Sequence, residues 1–205
     1  MNKNKILLLF AHPSPHRSEV NCPMFEYARA LEYVTAVDLY AHYPTYQIDI
    51  DKEQRQLNAH DVIIFQFPFY WYSTPSILKE WQDLVLEYGY AYGHGGTALH
   101  GKIFLCAISA GGRADAYRTN GYNHFNVRTL LQPLEQTAYI TGMQYLPPFA
   151  LFSSRSALAD GTLAQHLQDW KLLLEELHHN KFDPNSVDSL VTINELLDTR
   201  HQRER

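Results

Sequence analysis

The sequence predicts an α/β fold: a doubly wound, five-stranded parallel sheet with helices on both faces. Short and nearly continuous apolar runs indicate strands that are buried on both sides, which is typical of parallel sheets. Helical patterns separate these runs, so successive strands are expected to connect through right-handed crossovers. The chain has 205 residues, of which 45% are hydrophobic, and this size and composition suit one globular domain with a substantial core.

The apolar runs define five strands. The stretch KILLLFA gives the first, because it is uninterrupted by polar residues after its lysine. In chain order, the first four cover residues 5–11, 34–40, 61–67 and 102–109. The fifth lies in the stretch MQYLPPFAL and is expected to end at Pro147 and Pro148.

A helical pattern follows each strand. The predicted helices begin at Asn21 and then cover residues 51–61, 76–89, 127–142 and 160–180. Asn21 is expected to cap the first helix, with Pro23 in its first turn. Pro133 is expected to kink or interrupt the fourth helix. Asp160 or Thr162 is expected to start the last one, and a short helical piece is predicted around residues 186–197.

Composition excludes several classes of function. The formal net charge of −5 argues against a nucleic-acid partner. The 11 histidines do not cluster at the spacing of metal ligands, so no metal site is predicted. Cys22 and Cys106 are isolated thiols, which favours a reducing compartment over a disulfide scaffold. The N-terminal apolar run is too short for a signal peptide, and no run could span a bilayer, so a cytoplasmic protein is expected.

Three segments directly follow buried strands, at the edge of the sheet where ligands bind in such folds. The first, residues 12–21, leads into a helix N-terminus, which favours an anion. It has neither GxxxxGK[ST] nor GxGxxG, so it is neither a nucleoside-triphosphatase loop nor the usual dinucleotide turn. A loop with ordinary cap residues remains the alternative.

The other two segments are aromatic and glycine-rich. Aromatic side chains in residues 68–75 could wall a flat ring, or could pack under a neighbouring loop or subunit. Gly111 and Gly112, in residues 109–122, permit a close approach of backbone to ligand, although such pairs are common. This glycine pair is a candidate for ligand binding because it lies at the same edge of the sheet as the other two segments.

Four stretches resemble the flavodoxin-like NAD(P)H:quinone oxidoreductases, most closely the ancillary subunits of bacterial glutathione-regulated potassium efflux systems. They are AHPxxxxS…N, QFPFYWYSTPSILKEW, YGYAYGHGGTALHGK and SAGG. The resemblance spans residues 5–177 and implies a flavodoxin-like flavin-binding domain over residues 1–180, followed by a polar tail over residues 181–205. It implies FMN as the cofactor, with FAD as the alternative, and NADH or NADPH as the hydride donor. One departure is Ser109-Ala110 where relatives often have Thr-Thr.

The resemblance also implies roles for individual residues. The flavin phosphate and ribityl chain would be contacted by His12, Ser18, Glu19, Val20 and Asn21. The isoalloxazine ring would be framed by Phe69, Tyr70, Trp71, Tyr72, Ser109, Ala110, Gly111 and Gly112. Tyr117 and His124 are the candidate catalytic donors to the acceptor oxygen, and His124 matches the family only if the loop carries one extra residue.

The implied activity is a two-step hydride transfer through flavin N5, from NAD(P)H to a quinone-like acceptor. Two alternatives stay open: a regulatory binding subunit with little catalysis, and an enzyme of the FMN reductase or azoreductase type. A homodimer is expected. The regulatory role would place the protein peripherally on the inner face of the cell membrane, against a potassium efflux transporter.

Overall fold

The computed structural model describes residues 3–203, without the side chains of residues 184, 185 and 200–203; residues 1, 2, 204 and 205 lie outside the described part of the chain. The described residues form one parallel sheet of six strands. The strands are β1 Ile6–Phe10, β2 Val34–Asp38, β3 Val62–Pro68, β4 Ile103–Ser109, β5 Gln144–Tyr145 and β6 Phe149–Leu151. Their order is β2-β1-β3-β4, and β5 and β6 both pair with β4. This arrangement confirms the predicted fold class.

The fifth predicted strand is divided in two by prolines. β5 pairs with the start of β4, at Ile103 and Phe104, and β6 pairs with its end. Pro147 and Pro148 lie between them and have no N–H to donate to the ladder. The expectation that the strand ends at these prolines is therefore wrong, because the chain resumes beside the same strand at Phe149. This second piece brings a further loop to the carboxyl edge of the sheet.

The helices agree with the predicted pattern, with shifted bounds. They are α1 Asn21–Arg29, α2 Leu39–His42, α3 Ile50–Ala59, α4 Ser76–Val85, α5 Val127–Leu130, α6 Gln132–Ile140, α7 Thr162–His178, α8 Pro184–Val187 and α9 Asn194–Arg203. The interruption at Pro133 is confirmed, since α5 ends at Leu130 and α6 starts with Pro133 in its first turn. The second strand is shorter than predicted, because Asp38 caps α2 by accepting from the amide of Ala41. Among the described helices, none has the length and apolar character needed to cross a membrane.

Side chains alternate across the sheet and build a core on each face. Leu7, Leu9 and Phe65 pack on one face, against α3, α4 and α6. Leu8 and Ile64 pack on the other face, against α1 and α7. Helices on both faces explain why the strands are apolar at nearly every position.

The segment after residue 180 packs on the second of these cores. Its buried apolar side chains are Phe182, Val187, Ile193 and Leu197. Two hydrogen bonds attach it to the sheet edge: Ile193 N–H donates to the Pro148 carbonyl (3.1 Å), and Ala150 N–H donates to Asn194 Oδ1 (2.9 Å). The predicted tail thus covers β6, which positions the last loop of the sheet.

We expect Ile193→Ala to lower the free energy of unfolding by about 2–5 kcal/mol, because the side chain is 0% exposed and its removal leaves a cavity. Leu158→Ala is the matched control, since Leu158 is 59% exposed and should change stability by less than about 0.5 kcal/mol. Urea denaturation measures both. Equal, small effects would show that the tail does not unfold with the domain.

Candidate ligand-binding site

A cavity of about 580 Å³ opens at the carboxyl edge of the sheet, where the three predicted loops meet. This volume is within the range of small-molecule sites, roughly 300–1,000 Å³. The cavity is lined by His12, Arg17, Ser18, Glu19, Val20, Asn21, Pro68, Phe69, Tyr70, Trp71, Ser109, Gly111, Ser154 and Arg155. It lies outside the ends of β1, β3 and β4.

Most of the predicted cofactor contacts belong to this lining, and some do not. Tyr72, Ala110 and Gly112 are next to lining residues but are not part of the lining. Ser154 and Arg155 were missed by sequence reasoning. They follow β6, so the signal that could have found them was the continuation of the fifth strand beyond its prolines.

The start of α1 is fixed by Ser18 and Asn21, and the capping role predicted for Asn21 is wrong. Asn21 does not cap α1, because it is the first helical residue, and Ser18 Oγ accepts from its amide instead (2.9 Å). The Asn21 side chain is 2% exposed and donates through Nδ2 to Ser109 Oγ at 2.6 Å. The backbone carbonyl of Asn21 accepts from Gln66 Nε2 at 2.7 Å. Asn21 therefore joins the helix start to β3 and β4.

Two buried oxygens at this junction are available to a ligand or water. Asn21 Oδ1 and Gln66 Oε1 have no hydrogen-bond partner within the described part of the protein. A buried acceptor without a partner costs about 1–3 kcal/mol. Because Asn21 also lines the cavity, a ligand that brings a hydroxyl or amide donor to its Oδ1 would remove this cost.

The cavity wall near α1 favours an anion. The first amides of a helix have no intrahelical partner and carry the positive end of its dipole. Arg17 and Arg155 add two cations to the lining, and Glu19 is the one carboxylate among the lining residues. These features suit a phosphate at the start of α1.

His12 is held neutral in this wall. Burial, and secondarily the nearby His16, lowers the pKa of His12. Its Nδ1 accepts from the amide of Ser14 (3.1 Å), so the proton of the neutral ring is on Nε2. His12 can therefore donate one hydrogen bond without adding charge.

The aromatic residues form a tight turn over residues 70–73. Ser73 N–H donates to the Tyr70 carbonyl (3.1 Å), and both central residues are left-handed, with φ 49° at Trp71 and 60° at Tyr72. This is the pattern of a type I′ turn, which normally has asparagine or glycine at these positions. The Trp71 side chain is 93% exposed, so it does not pack in the core of the domain.

Two backbone amides at this turn already have acceptors within the protein. The amide of Phe69 donates to the Ser109 carbonyl (2.8 Å), and that of Tyr70 donates to the Pro68 carbonyl (2.9 Å). The amides of Trp71 and Tyr72 have no partner in the described residues, so these two remain for a ligand.

Tyr117 lies behind the cavity wall. Its ring packs between Phe69 and Phe152, with centroid distances of 6.5 and 5.1 Å, and the residue is 9% exposed. A β-carbon at Gly112 would lie 3.2 Å from Tyr117 Cε2, so this glycine makes room for the phenol ring. Burial raises the pKa of Tyr117, which keeps its hydroxyl protonated at neutral pH. Neither Tyr117 nor the exposed His124 lines the cavity.

The sequence matches the family with the flavodoxin-like fold over residues 4–174. The chain belongs to that family. General stress protein 14 of Bacillus subtilis (strain 168) is 45% identical over 156 residues, which are 76% of this chain and 89% of that protein.

Two similar solved structures support the assignment to the flavodoxin-like family. General stress protein 14 from Treponema denticola, in complex with FMN, has a TM-score of 0.79 and 36% identity, covering 84% of this chain and 99% of that one. An NADPH-quinone reductase from P. pentosaceus has a TM-score of 0.73 and 31% identity, covering 83% of this chain and 97% of that one. In a flavodoxin-like sheet the winding reverses between β1 and β3, and the cavity lies outside the carboxyl ends of these strands.

We expect Trp71→Asn to raise the free energy of unfolding by roughly 0.5–1 kcal/mol, because asparagine tolerates a left-handed backbone and the lost ring is exposed. Trp71→Ala keeps the β-carbon and should give no such gain. Urea denaturation of the ligand-free protein compares the two variants. A loss of several kcal/mol in both would show that the ring packs in a core.

Proposed function

We propose that this flavodoxin-like protein is an FMN-dependent NAD(P)H oxidoreductase that reduces a quinone-like acceptor. The observation that carries the proposal is the cavity at the β1/β3 switch point, with an anion-favouring wall and a buried, unpaired acceptor on Asn21. Relatives at 36% and 31% identity, one in complex with FMN and one an NADPH-quinone reductase, support the cofactor and the acceptor class.

The residues present fit FMN. The α1 N-terminus and Arg17 would hold its phosphate. Asn21 Oδ1 would accept from a ribityl hydroxyl, which gives this buried oxygen the partner it lacks. Phe69, Trp71 and Gly111 would surround the ring system. FAD remains the alternative cofactor, and its flavin half would occupy the same cavity beside the start of α1.

Bound FMN would supply the redox chemistry, taking a hydride from NAD(P)H and passing it to the acceptor. The chain's own residues would bind the flavin, orient it and exclude water from it. Trp71 is exposed beside the cavity, where its ring could cover a second planar molecule. Tyr117 is protonated at neutral pH and would donate a hydrogen bond to the acceptor oxygen as negative charge develops there.

Identification of the bound flavin tests the cofactor. We expect mass spectrometry of the supernatant, after denaturation of the purified protein, to identify FMN. Arg17→Ala should weaken FMN binding by roughly ten- to a hundredfold, through loss of a charge-assisted hydrogen bond. Arg118→Ala, at an exposed arginine outside the cavity lining, is the control. A protein that binds no flavin after reconstitution would refute the assignment.

Tyr117→Phe tests the donor, because it keeps the ring and removes the hydroxyl. We expect reoxidation of the reduced flavin by quinone to slow roughly ten- to a thousandfold, as for the loss of an oxyanion donor. Reduction by NAD(P)H should change little, and stopped-flow absorbance separates the two half-reactions. Unchanged rates in both would show that Tyr117 only supports Phe69.

The remaining expectations stay predictions of the sequence resemblance. They are a homodimer, a docking role on a potassium efflux transporter, and an acceptor of the FMN reductase or azoreductase type. Turnover can be compared with a quinone, with free FMN and with an azo dye as the acceptor. Faster turnover with free FMN or the azo dye would favour the FMN reductase or azoreductase type over quinone reduction.

A further inference from the structure

A single side-chain hydrogen bond joins the aromatic turn to the loop between β4 and α5, residues 110–126. Tyr72 Oη donates to Asn123 Oδ1 at 3.0 Å, across 51 residues of sequence. Within the described residues, it is the one side-chain hydrogen bond made by residues 70–73. The backbone of Asn123 is itself fixed, because its amide donates to the Ala116 carbonyl at 2.9 Å.

Two tyrosines support the same cavity-lining ring. Tyr72 and Tyr117 both contact Phe69, with ring centroids 6.3 and 6.5 Å from it. Asn123 holds the first of these tyrosines, because its Oδ1 accepts from Tyr72 Oη.

The turn needs such a support. Two successive bulky residues in the left-handed region cost of order 1–3 kcal/mol each, and such conformations persist where the surroundings fix them. The ring of Trp71 is almost fully exposed and packs too little to do this. The Tyr72–Asn123 bond anchors the turn at its other central residue.

We propose that Asn123 is a positioning residue: its side-chain carbonyl oxygen clamps the aromatic turn against the loop between β4 and α5. The effect of this clamp on FMN binding rests on the proposed function. Sequence resemblance points instead to His124, but that side chain is exposed and the residue brought to Tyr72 is its neighbour.

A double-mutant cycle tests the clamp. Tyr72→Phe and Asn123→Ala should each weaken FMN binding roughly three- to tenfold, through the loss of one hydrogen bond, and the double variant should be no weaker than either. Asn120→Ala is the matched control, an exposed asparagine of the same loop, and should leave FMN affinity unchanged. Additive losses in the double variant would overturn the clamp.

Asn123→Asp keeps a side-chain acceptor for Tyr72, whereas Asn123→Ala removes it. We therefore expect the FMN affinity of Asn123→Asp to stay near that of the wild type. An affinity as low as that of Asn123→Ala would overturn the clamp.

If the proposed function fails, the clamp can still be tested on the cofactor-free protein. In that case no variant binds flavin, and the same cycle is measured by urea denaturation. Non-additive effects of Tyr72→Phe and Asn123→Ala on unfolding would support the clamp without FMN. Additive effects would overturn it, whatever the protein binds.

Discussion

A buried asparagine ties the start of α1 to the middle of the sheet. The Asn21 side chain donates to Ser109 at the end of β4, and the Asn21 backbone carbonyl accepts from the Gln66 side chain on β3. Breaking either bond would leave buried polar groups unpaired, at about 1–3 kcal/mol each. The helix N-terminus is thereby fixed relative to two strand ends. The anion-favouring wall and the aromatic turn, which belong to different segments, face one cavity as a result.

The hydrogen-bond ladder of the sheet continues into the loops. The register of β3 and β4 ends at Pro68 opposite Ser109, and the next amide, that of Phe69, still donates to the Ser109 carbonyl. On the other side, the amide of Ala110 donates to the Leu151 carbonyl (2.8 Å). The loops thus leave the sheet in fixed directions, which suits a site that must hold a planar group in one orientation.

The local potential at the cavity differs from that of the whole chain. The formal net charge is −5, yet Arg17, Arg155 and the α1 dipole outweigh Glu19 in the lining. Charges farther away than about 8 Å are largely screened at physiological ionic strength, so the near groups decide which ligand is attracted. Burial lowers the pKa of His12 and keeps its ring neutral. His12 therefore offers a ligand a directional hydrogen bond but no charge.

Sequence reasoning succeeded where burial on both faces left a plain signal, as in β1, β3 and β4. It failed at Pro147 and Pro148, because a missing N–H breaks a ladder without preventing the chain from resuming beside the same strand. That error hid Arg155 from the predicted site. The capping role predicted for Asn21 was wrong, since residue type alone does not tell a helix cap from a buried side chain that joins a helix to a strand. The spacing from Gly112 to Tyr117 likewise gave no sign that the Tyr117 ring packs against Phe69 and Phe152, outside the cavity lining.

The turn at residues 70–73 is the point where local preference and global structure disagree most. A type I′ turn is easiest to form with asparagine and glycine, and this chain has Trp71 and Tyr72 there. Core packing does not explain Trp71, which is almost fully exposed. Such conflicts are expected at functional sites, where the position of a side chain matters more than the stability of the turn that presents it. The strained turn exposes the Trp71 ring at the cavity and places the Tyr72 hydroxyl on Asn123, so the same backbone conformation provides both an aromatic wall and its anchor.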